Sequence, residues 1–202
     1  MKRGALLVIE GLDRAGKTTQ VERLVQELDA RLVKFPDRTT PIGRMLDSYL
    51  QQKSELDDRA VHLLFSANRW ELAPSIKADL EAGQTVVCDR YAFSGIAYSV
   101  AKGLPFDWCL SSDASLPAPD LTLFLTLSPS VAAQRGGYGD ERYEEPGMQT
   151  RVRAAFEEIE ARVRDWRSID AERTEEEVWR DVSEAAEAAV RHAHGPVRPL
   201  FS

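Results

Sequence analysis

Short apolar runs separated by segments of helical length are the main pattern of this chain. The runs lie at residues 5–9, 31–35, 85–88, 121–127 and, more weakly, 166–169. Runs that alternate with helical segments are typical of strands connected by helical crossovers. The pattern therefore predicts an α/β fold with a parallel sheet of five strands.

Helical periodicity follows the first run. Within residues 18–28, apolar side chains recur at i, i+3, i+4 and i+7, namely at Val21, Leu24, Val25 and Leu28. This spacing predicts an amphipathic helix packed on the sheet. Further helical patterns cover residues 41–50, 57–80, 151–165 and 175–192. Pro74 is expected to kink or interrupt the helix in which it lies.

Length and charge limit the kind of protein. With 202 residues, of which 43% are hydrophobic, the chain has the size of one domain, and we expect residues 1–202 to form a single domain. The net charge of −7 opposes a broad nucleic-acid interface, which needs a basic face. No apolar stretch approaches the roughly 20 residues of a membrane span. We therefore expect neither nucleic acid nor a membrane as a partner.

The cysteines and histidines do not suggest a disulfide or a zinc site. Cys88 lies in a strand pattern and Cys109 near an aromatic cluster, so both are expected to be buried free thiols. Free thiols predict a reducing compartment, and we expect a cytoplasmic protein, with a nuclear or mitochondrial pool left open. His62, His192 and His194 lack the spacing of zinc ligands and are expected on the surface or in satisfied packing positions.

The segment after the first apolar run carries the clearest chemistry. It fits the phosphate-binding pattern G-x-x-x-x-G-K-[ST] in the required setting of strand, loop and helix. In this pattern the backbone N–H groups surround phosphate oxygens, Lys17 adds a positive charge, and the Thr18 hydroxyl can ligate Mg²⁺. A nucleoside triphosphate site is predicted, formed by Gly11, Leu12, Asp13, Arg14, Ala15, Gly16, Lys17, Thr18 and Thr19.

Charged clusters follow the first three predicted strands, at residues 13–14, 35–38 and 89–91. One such Asp-Arg pair is commonly a surface ion pair worth at most about 1 kcal/mol. Three of them at successive strand ends favour a binding role, because ligands gather beyond the carboxyl ends of parallel strands. Arg38 and Arg90 are expected to converge on a second phosphate group, whose oxygens match guanidinium donors.

Two further segments allow two interpretations each. Phe65 and Arg69 are four residues apart on one face of a predicted helix, where they would offer a stacking surface beside a hydrogen-bond donor. Their spacing alone favours a core phenylalanine and a solvated arginine. The glycine-rich residues 136–139 suit either a lid, at about 136–146, or an ordinary connection.

Together these motifs resemble thymidylate kinases of the eukaryotic and poxviral type. The resemblance is close over residues 3–145 and rests on residues 3–6, 10–20, 35–38, 62–71, 89–95, 116–121 and 139–144. It implies a P-loop NTPase fold of three α/β/α layers with a five-stranded parallel sheet and a lid loop. It also implies a homodimer that transfers the γ-phosphoryl group of Mg-ATP to dTMP, giving dTDP and ADP on the path to dTTP.

The resemblance also implies roles for single residues. Catalytic roles fall to Arg14, Lys17, Asp89 and Arg90, and the Mg²⁺ contacts fall to Thr18 and Asp89. The residues placed around dTMP are Asp13, Phe35, Arg38, Phe65, Arg69, Arg90, Ser94, Gly95 and Tyr143. Among them, Asp13 meets the 3′-hydroxyl, and Arg69 contacts the polar edge of the thymine on which Phe65 stacks. Ser94 contacts that edge as well, and Tyr143 lies near the 2′ position. On the ATP side, Arg135 is the implied adenine contact.

Some positions depart from the family pattern. Asp37 stands where glutamate is common, Asp140 replaces a lid histidine, and Ala118 replaces a lysine between two prolines. The adenine-side segment 170–173 departs further. None of these changes touches the core set of site residues.

Three alternatives bear on function. A deoxynucleoside kinase accepts an uncharged hydroxyl, which would make poor use of Arg38 and Arg90 together. A small GTPase-like switch needs an Asn-Lys-x-Asp segment, which this chain lacks. A structural protein that merely kept the fold would release no ADP when it is given dTMP and ATP.

Overall fold

The computed structural model describes residues 2–128, 131–132, 142–143 and 146–201. The strands in this part of the chain are β1 (Leu6–Gly11), β2 (Arg31–Lys34), β3 (Val86–Asp89), β4 (Leu121–Thr126) and β5 (Trp166–Asp170). Each one coincides with a predicted apolar run to within about two residues at either end. The hydrophobic pattern alone therefore locates every strand of the sheet in the described residues.

The strands form one parallel sheet in the order β2-β3-β1-β4-β5. The central strand β1 pairs with β3 from Leu6 opposite Val86, and with β4 from Leu7 opposite Leu121. Because all strands point the same way, their carboxyl ends lie along one edge of the sheet. The segments that follow β1, β2 and β3 meet at this edge.

The helices begin and end at recognisable capping residues. The helix α2 (Pro41–Leu50) follows Thr40, whose Oγ1 accepts a hydrogen bond from the Gly43 N–H at 2.9 Å, with Pro41 at the first helical position. At the start of α7 (Glu175–His192), Thr174 and Glu177 form a reciprocal capping box. The described helices are α1 (Lys17–Glu27), α2 (Pro41–Leu50), α3 (Asp58–Glu81), α4 (Ala92–Val100), α5 (Phe106–Ser111), α6 (Pro146–Glu160) and α7 (Glu175–His192).

Helices cover both faces of the sheet. In β1, the side chains of Leu7 and Ile9 pack with α1 and α7, whereas those of Leu6 and Val8 pack with α3 on the opposite face. Both sets are fully buried, as the period of two along a strand requires when both faces are covered. The predicted three-layer α/β/α architecture is confirmed.

The sequence predicted the helices less completely than the strands. Helices α4 and α5 were not predicted. The buried residues of α4 extend around the helix, because it packs between α3 and α6, and a helix buried on several sides shows no amphipathic period. The α3 helix continues through Pro74 without interruption. Pro74 lies on the exposed side of α3, where water can satisfy the carbonyl group that loses its N–H partner.

The minor predictions agree with the structure. Cys88 and Cys109 are free and buried, and His62 is buried with hydrogen bonds to both ring nitrogens. His192 and His194 are exposed. Among the helices described, none has the length and apolar character needed to cross a membrane.

Candidate active site

The loop between β1 and α1 turns sharply at two glycines. Gly11 has φ of 152°, and a Cβ atom at this position would lie 2.8 Å from the Leu125 carbonyl oxygen. Gly16 has φ of 83° and stands directly before the first residue of α1. Both values favour glycine. The loop thus brings the positive N-terminal end of α1 to the edge of the sheet where ligands bind.

Lys17 carries the main charge of this loop. Its Nζ donates to the Leu12 carbonyl oxygen at 2.7 Å, and the side chain is buried. Burial is the largest cause that lowers the pKa of Lys17 to about 7, and the positive charge of Arg90 is the second. Nearby carboxylates, led by Asp13, act in the opposite direction. In the absence of an anion, this ammonium group is therefore poorly stabilised.

Asp13 and Arg90 form an ion pair that joins the loop after β1 to the loop after β3. Arg90 Nη2 donates to Asp13 Oδ1 at 2.5 Å, and Arg90 Nη1 donates to the Gly11 carbonyl oxygen and to Ser94 Oγ. Burial acts to raise the pKa of Asp13, but the charge of Arg90, then that of Lys17, and hydrogen bonds hold it below its usual value. Asp13 is therefore an anion at neutral pH.

A cleft lies beyond the carboxyl ends of β1, β2 and β3, and we call it the acceptor cleft. Every residue that the resemblance placed around dTMP lines it, together with Lys34, Pro36, Leu50, Tyr91, Tyr98 and Ser99. Phe35 and Tyr91 form an aromatic pair in this wall, with ring centroids 5.7 Å apart. Arg38 stands at the surface, where its Nη1 donates to Asp47 Oδ1 at 2.7 Å. The cleft combines aromatic walls with arginine donors.

The inner end of the acceptor cleft contains Phe65 and Arg69. Arg69 is 2% exposed and forms a two-point ion pair with Asp113. The expectation from spacing alone, a solvated Arg69, is therefore wrong, because a buried carboxylate on another segment pairs with it. Its guanidinium lies against Gly95, where a Cβ atom would come within 2.7 Å of Nη2. Gly95 thus permits the close approach of α3 and α4.

Tyr143 forms another part of the cleft wall. Its ring centroid lies 5.1 Å from that of Tyr98 and 6.3 Å from that of Tyr49, and the Lys102 ammonium lies 4.8 Å from its ring centroid. Lys102 Nζ also donates to the Tyr49 hydroxyl at 2.9 Å. Cation–π attraction and aromatic contacts therefore hold the Tyr143 ring in place.

A second cleft, the donor cleft, lies on the α7 side of the phosphate-binding loop. Its lining consists of Arg14, Ala15, Gly16, Lys17, Thr18, Thr19, Gln20, Ala171, Arg173, Glu175 and Val178. Between the two clefts is a central region lined by Asp13, Arg14, Lys17, Thr18, Lys34, Asp89 and Arg90. All residues that were expected to be catalytic border this region, so a group held in one cleft can meet a group held in the other.

Some expected residues have other positions. Gly11 and Leu12 are buried and do not line the donor cleft. Arg135, Asp140 and most of the expected lid lie outside the described residues. Of that segment, Arg142 is described, and its guanidinium donates to Glu55 and to the Ser54 carbonyl oxygen.

Two polar residues of the site were not predicted from the sequence. The fully buried Glu10 accepts from the backbone N–H groups of Tyr91 and Ser94 and from Ser94 Oγ. Burial is the main cause that raises the pKa of Glu10. Gln149, on α6, donates to Asp13 Oδ2 at 3.0 Å. The position of Glu10 directly before the phosphate-binding loop could have indicated its role. Nothing in the sequence spacing indicated the role of Gln149.

Comparisons with known proteins agree with this geometry. A family model described as thymidylate kinase matches residues 9–182. Thymidylate kinase of Danio rerio is 52% identical, covering 99% of this chain and 98% of the relative, and that of Homo sapiens is 48% identical, covering 95% and 94%. A solved structure of thymidylate kinase from Candida albicans superposes with a TM-score of 0.92 at 41% identity, covering 98% of this chain and 99% of that chain. The chain belongs to the thymidylate kinase family.

Proposed function

We propose that this member of the family transfers the γ-phosphoryl group of ATP to dTMP, with ATP in the donor cleft and dTMP in the acceptor cleft. The observation that carries the proposal is the central region, where Arg14 and Lys17 face Asp89 and Arg90. An oxygen of the dTMP phosphate attacks the γ-phosphorus of ATP. The bond from that phosphorus to the β,γ-bridging oxygen breaks, and ADP and dTDP leave.

Positioning and charge supply the catalysis. The attacking phosphate is already ionised at neutral pH, so no general base is needed, and the requirement is to hold two anions in line. Lys17 and Arg14 neutralise charge on the transferring group. Arg90, held by Asp13 and the Gly11 carbonyl oxygen, and Arg38 bind the acceptor phosphate.

The sugar and base follow from the rest of the acceptor cleft. Asp13 already accepts from Arg90, Tyr98 and Gln149. An ionised carboxylate offers about four lone-pair sites, and the donors among the described residues use three of them, which leaves room for the 3′-hydroxyl. Phe65 stacks on thymine, Arg69 and Ser94 contact the polar edge of the base, and Tyr143 lies against the 2′ position, where an added hydroxyl would collide.

Thr18 and Asp89 suit a magnesium ion. Both border the central region and offer hydroxyl and carboxylate oxygens, which are hard ligands. One carboxylate and one hydroxyl suit the usual binding of Mg²⁺, which takes its other ligands from substrate phosphates and water. A bound ion would supply positive charge that neutralises phosphate oxygens. Asp89, which would hold it, is the last residue of β3, and Lys34 Nζ lies 3.3 Å from Asp89 Oδ2.

The assembly is proposed to be a homodimer of single-domain subunits that acts in the cytoplasm without nucleic acid or a membrane. Leu63 and Trp70 are both exposed and, being seven residues apart on α3, share one face of the helix. An apolar face of this kind suits contact with a second copy. Residues 136–146 are proposed to act as the lid over the phosphates.

Substitution of Arg38 tests the assignment of the two clefts. Arg38→Ala is expected to weaken dTMP binding by about 1.5–3 kcal/mol, the worth of a hydrogen bond to a charged group, and to leave ATP binding unchanged. Calorimetry with each nucleotide measures both. Arg44→Ala is the matched control, because Arg44 donates to the Thr39 carbonyl oxygen and is not among the residues lining the cleft. Equal dTMP affinity in the Arg38 and Arg44 variants would remove Arg38 from the phosphate site.

A further inference from the structure

A stripe of polar side chains on α3 contacts α5 and the residues that follow it. His62 Nε2 lies 2.9 Å from the Cys109 carbonyl oxygen in α5, Trp70 Nε1 donates to the Ser112 carbonyl oxygen at 2.9 Å, and Ser66 Oγ lies 3.1 Å from that oxygen. These three α3 residues are spaced four apart and so lie on one face of the helix. Since a carbonyl oxygen can only accept, His62 Nε2 carries the proton. The segment after α5 is thereby held at several points.

Asp113 is the second residue after α5 and is fully buried. Its Oδ1 accepts from Ser66 Oγ at 2.7 Å and from Arg69 Nε at 3.2 Å, and its Oδ2 accepts from Arg69 Nη2 at 2.5 Å. A buried guanidinium needs such a partner, because an unpaired buried charge is strongly destabilising. This two-point ion pair fixes both the position and the plane of the Arg69 guanidinium.

The ion pair with Asp113 leaves Nη1 of Arg69 for a ligand. Asp113 uses Nε and Nη2, and no hydrogen bond joins Nη1 to another residue in the described part of the chain. Gly95 packs against both terminal nitrogens, because a Cβ atom at this position would lie 2.8 Å from Nη1 and 2.7 Å from Nη2. Arg69 also lines the acceptor cleft beside Phe65. The guanidinium is therefore fixed at the inner end of the cleft with one donor group available.

We propose that Asp113 is a positioning residue that sets the base preference of the acceptor cleft through Arg69. The inference rests on the proposed contact of Arg69 with the polar edge of the base. Fixed by Asp113, Nη1 donates to the carbonyl oxygen at C4 of thymine. Cytosine carries an amino group there, which donates and cannot accept from a guanidinium. Because the Arg69 guanidinium is held by Asp113 and cannot rotate away from the amino group of cytosine, the buried donors of both groups stay unpaired, and this mismatch lowers the affinity for dCMP.

Acceptor selectivity in Asp113→Asn tests the proposal. With ATP saturating, kcat and KM are measured for dTMP and for dCMP. The ratio of kcat/KM for dTMP to that for dCMP is expected to fall about tenfold, a change of about 1.4 kcal/mol. The fall should come mainly from a higher KM for dTMP, with the KM for ATP unchanged. An unchanged ratio in a folded Asp113→Asn variant overturns the proposal.

Asp120→Asn is the matched control for loss of an ion pair. Asp120 forms a two-point pair with Arg3, at 2.7 Å for both contacts, and the two side chains are 14% and 9% exposed. This pair lies at the amino ends of β1 and β4 and does not line the acceptor cleft. Asp120→Asn should lower the Tm without changing the base ratio. An equal fall of the ratio in both variants would show a general structural effect and overturn the proposal.

Arg69→Gln separates this inference from the role proposed for Arg69. If Arg69→Gln leaves the ratio unchanged, the contact between Arg69 and the base is wrong and the inference falls with it. If Arg69→Gln lowers the ratio and Asp113→Asn does not, the base contact stands and the positioning role of Asp113 is overturned. A double variant with the ratio of Arg69→Gln alone supports a role of Asp113 that acts through Arg69.

Ser66→Ala keeps the test decisive if Asp113→Asn does not fold. It removes the 2.7 Å hydrogen bond to Asp113 Oδ1 and leaves the ion pair with Arg69 intact. The base ratio should fall by about threefold, less than in Asp113→Asn, because one of the three hydrogen bonds to the carboxylate is lost and the ion pair remains. An unchanged ratio in this variant would count against Asp113.

Discussion

ATP binding is expected to be accompanied by proton uptake at Lys17. Burial, and then the charge of Arg90, lower the pKa of this side chain to about 7. The triphosphate places several negative charges beside the ammonium group, which favours the protonated form. Binding should therefore return the pKa of Lys17 towards its ordinary value of 10.5, and the proton must come from solvent.

The size of the effect follows from these two pKa values. At pH 8, a group with a pKa of about 7 is about one-tenth protonated, and a group with a pKa near 10 is almost fully protonated. Uptake should thus be about 0.9 proton for each ATP bound at pH 8. By linkage, the logarithm of the ATP association constant should fall by about 0.9 for each pH unit between about 8 and 9.

Calorimetry measures the number of protons taken up when ATP binds. ATP is titrated at pH 8, where phosphate groups are already ionised, in buffers of different ionisation enthalpy, and the dependence of the observed enthalpy on that quantity gives the number of protons. Lys17→Arg is the matched control, because a guanidinium stays protonated in the empty site and should show almost no uptake. If the wild-type protein takes up no proton either, Lys17 is charged before ATP binds and the electrostatic reasoning is wrong.

Two further substitutions test the site. Arg14→Ala should lower kcat by about 10³-fold, by analogy with arginines that act on the transferring group, with little change in either KM; normal turnover in an assay of ADP release would place Arg14 outside the mechanism. Tyr143→Ala should raise the kcat/KM of ribothymidine monophosphate relative to dTMP, because the ring no longer excludes the 2′-hydroxyl. Tyr143→Phe keeps the ring and should keep the wild-type ratio, and an unchanged ratio in Tyr143→Ala would place sugar selection elsewhere, with Asp13 the next candidate.

The sheet and the phosphate-binding loop could be predicted because their signals are local. A buried parallel strand needs a continuous apolar run, and the loop between Gly11 and Thr18 needs glycines and a lysine at fixed spacing. Both requirements lie within a few residues. The edge at which the site forms follows from the same information, since the carboxyl ends of parallel strands coincide.

The inner end of the acceptor cleft could not be predicted in this way. Arg69 and Asp113 are 44 residues apart in the sequence, and Asp13 and Gln149 are 136 apart. No spacing rule relates such pairs, because the sheet and the helices between them determine their distance. An argument from helical periodicity also assumes that a charged residue is exposed. It therefore predicted a solvated Arg69, because the sequence did not reveal that Asp113 is its partner.

The burial of Arg69 with Asp113 is better explained by recognition than by stability. A buried ion pair contributes little net stability, and replacement by well-packed apolar side chains of similar volume is often neutral or stabilising. An apolar pair at these positions would fill the space between α3 and the segment after α5, but it would leave the acceptor cleft without a donor at its inner end. A single arginine there, without Asp113, would be an unpaired buried charge free to turn. The pair meets both requirements, since the carboxylate neutralises the guanidinium and fixes the one nitrogen that can reach a base.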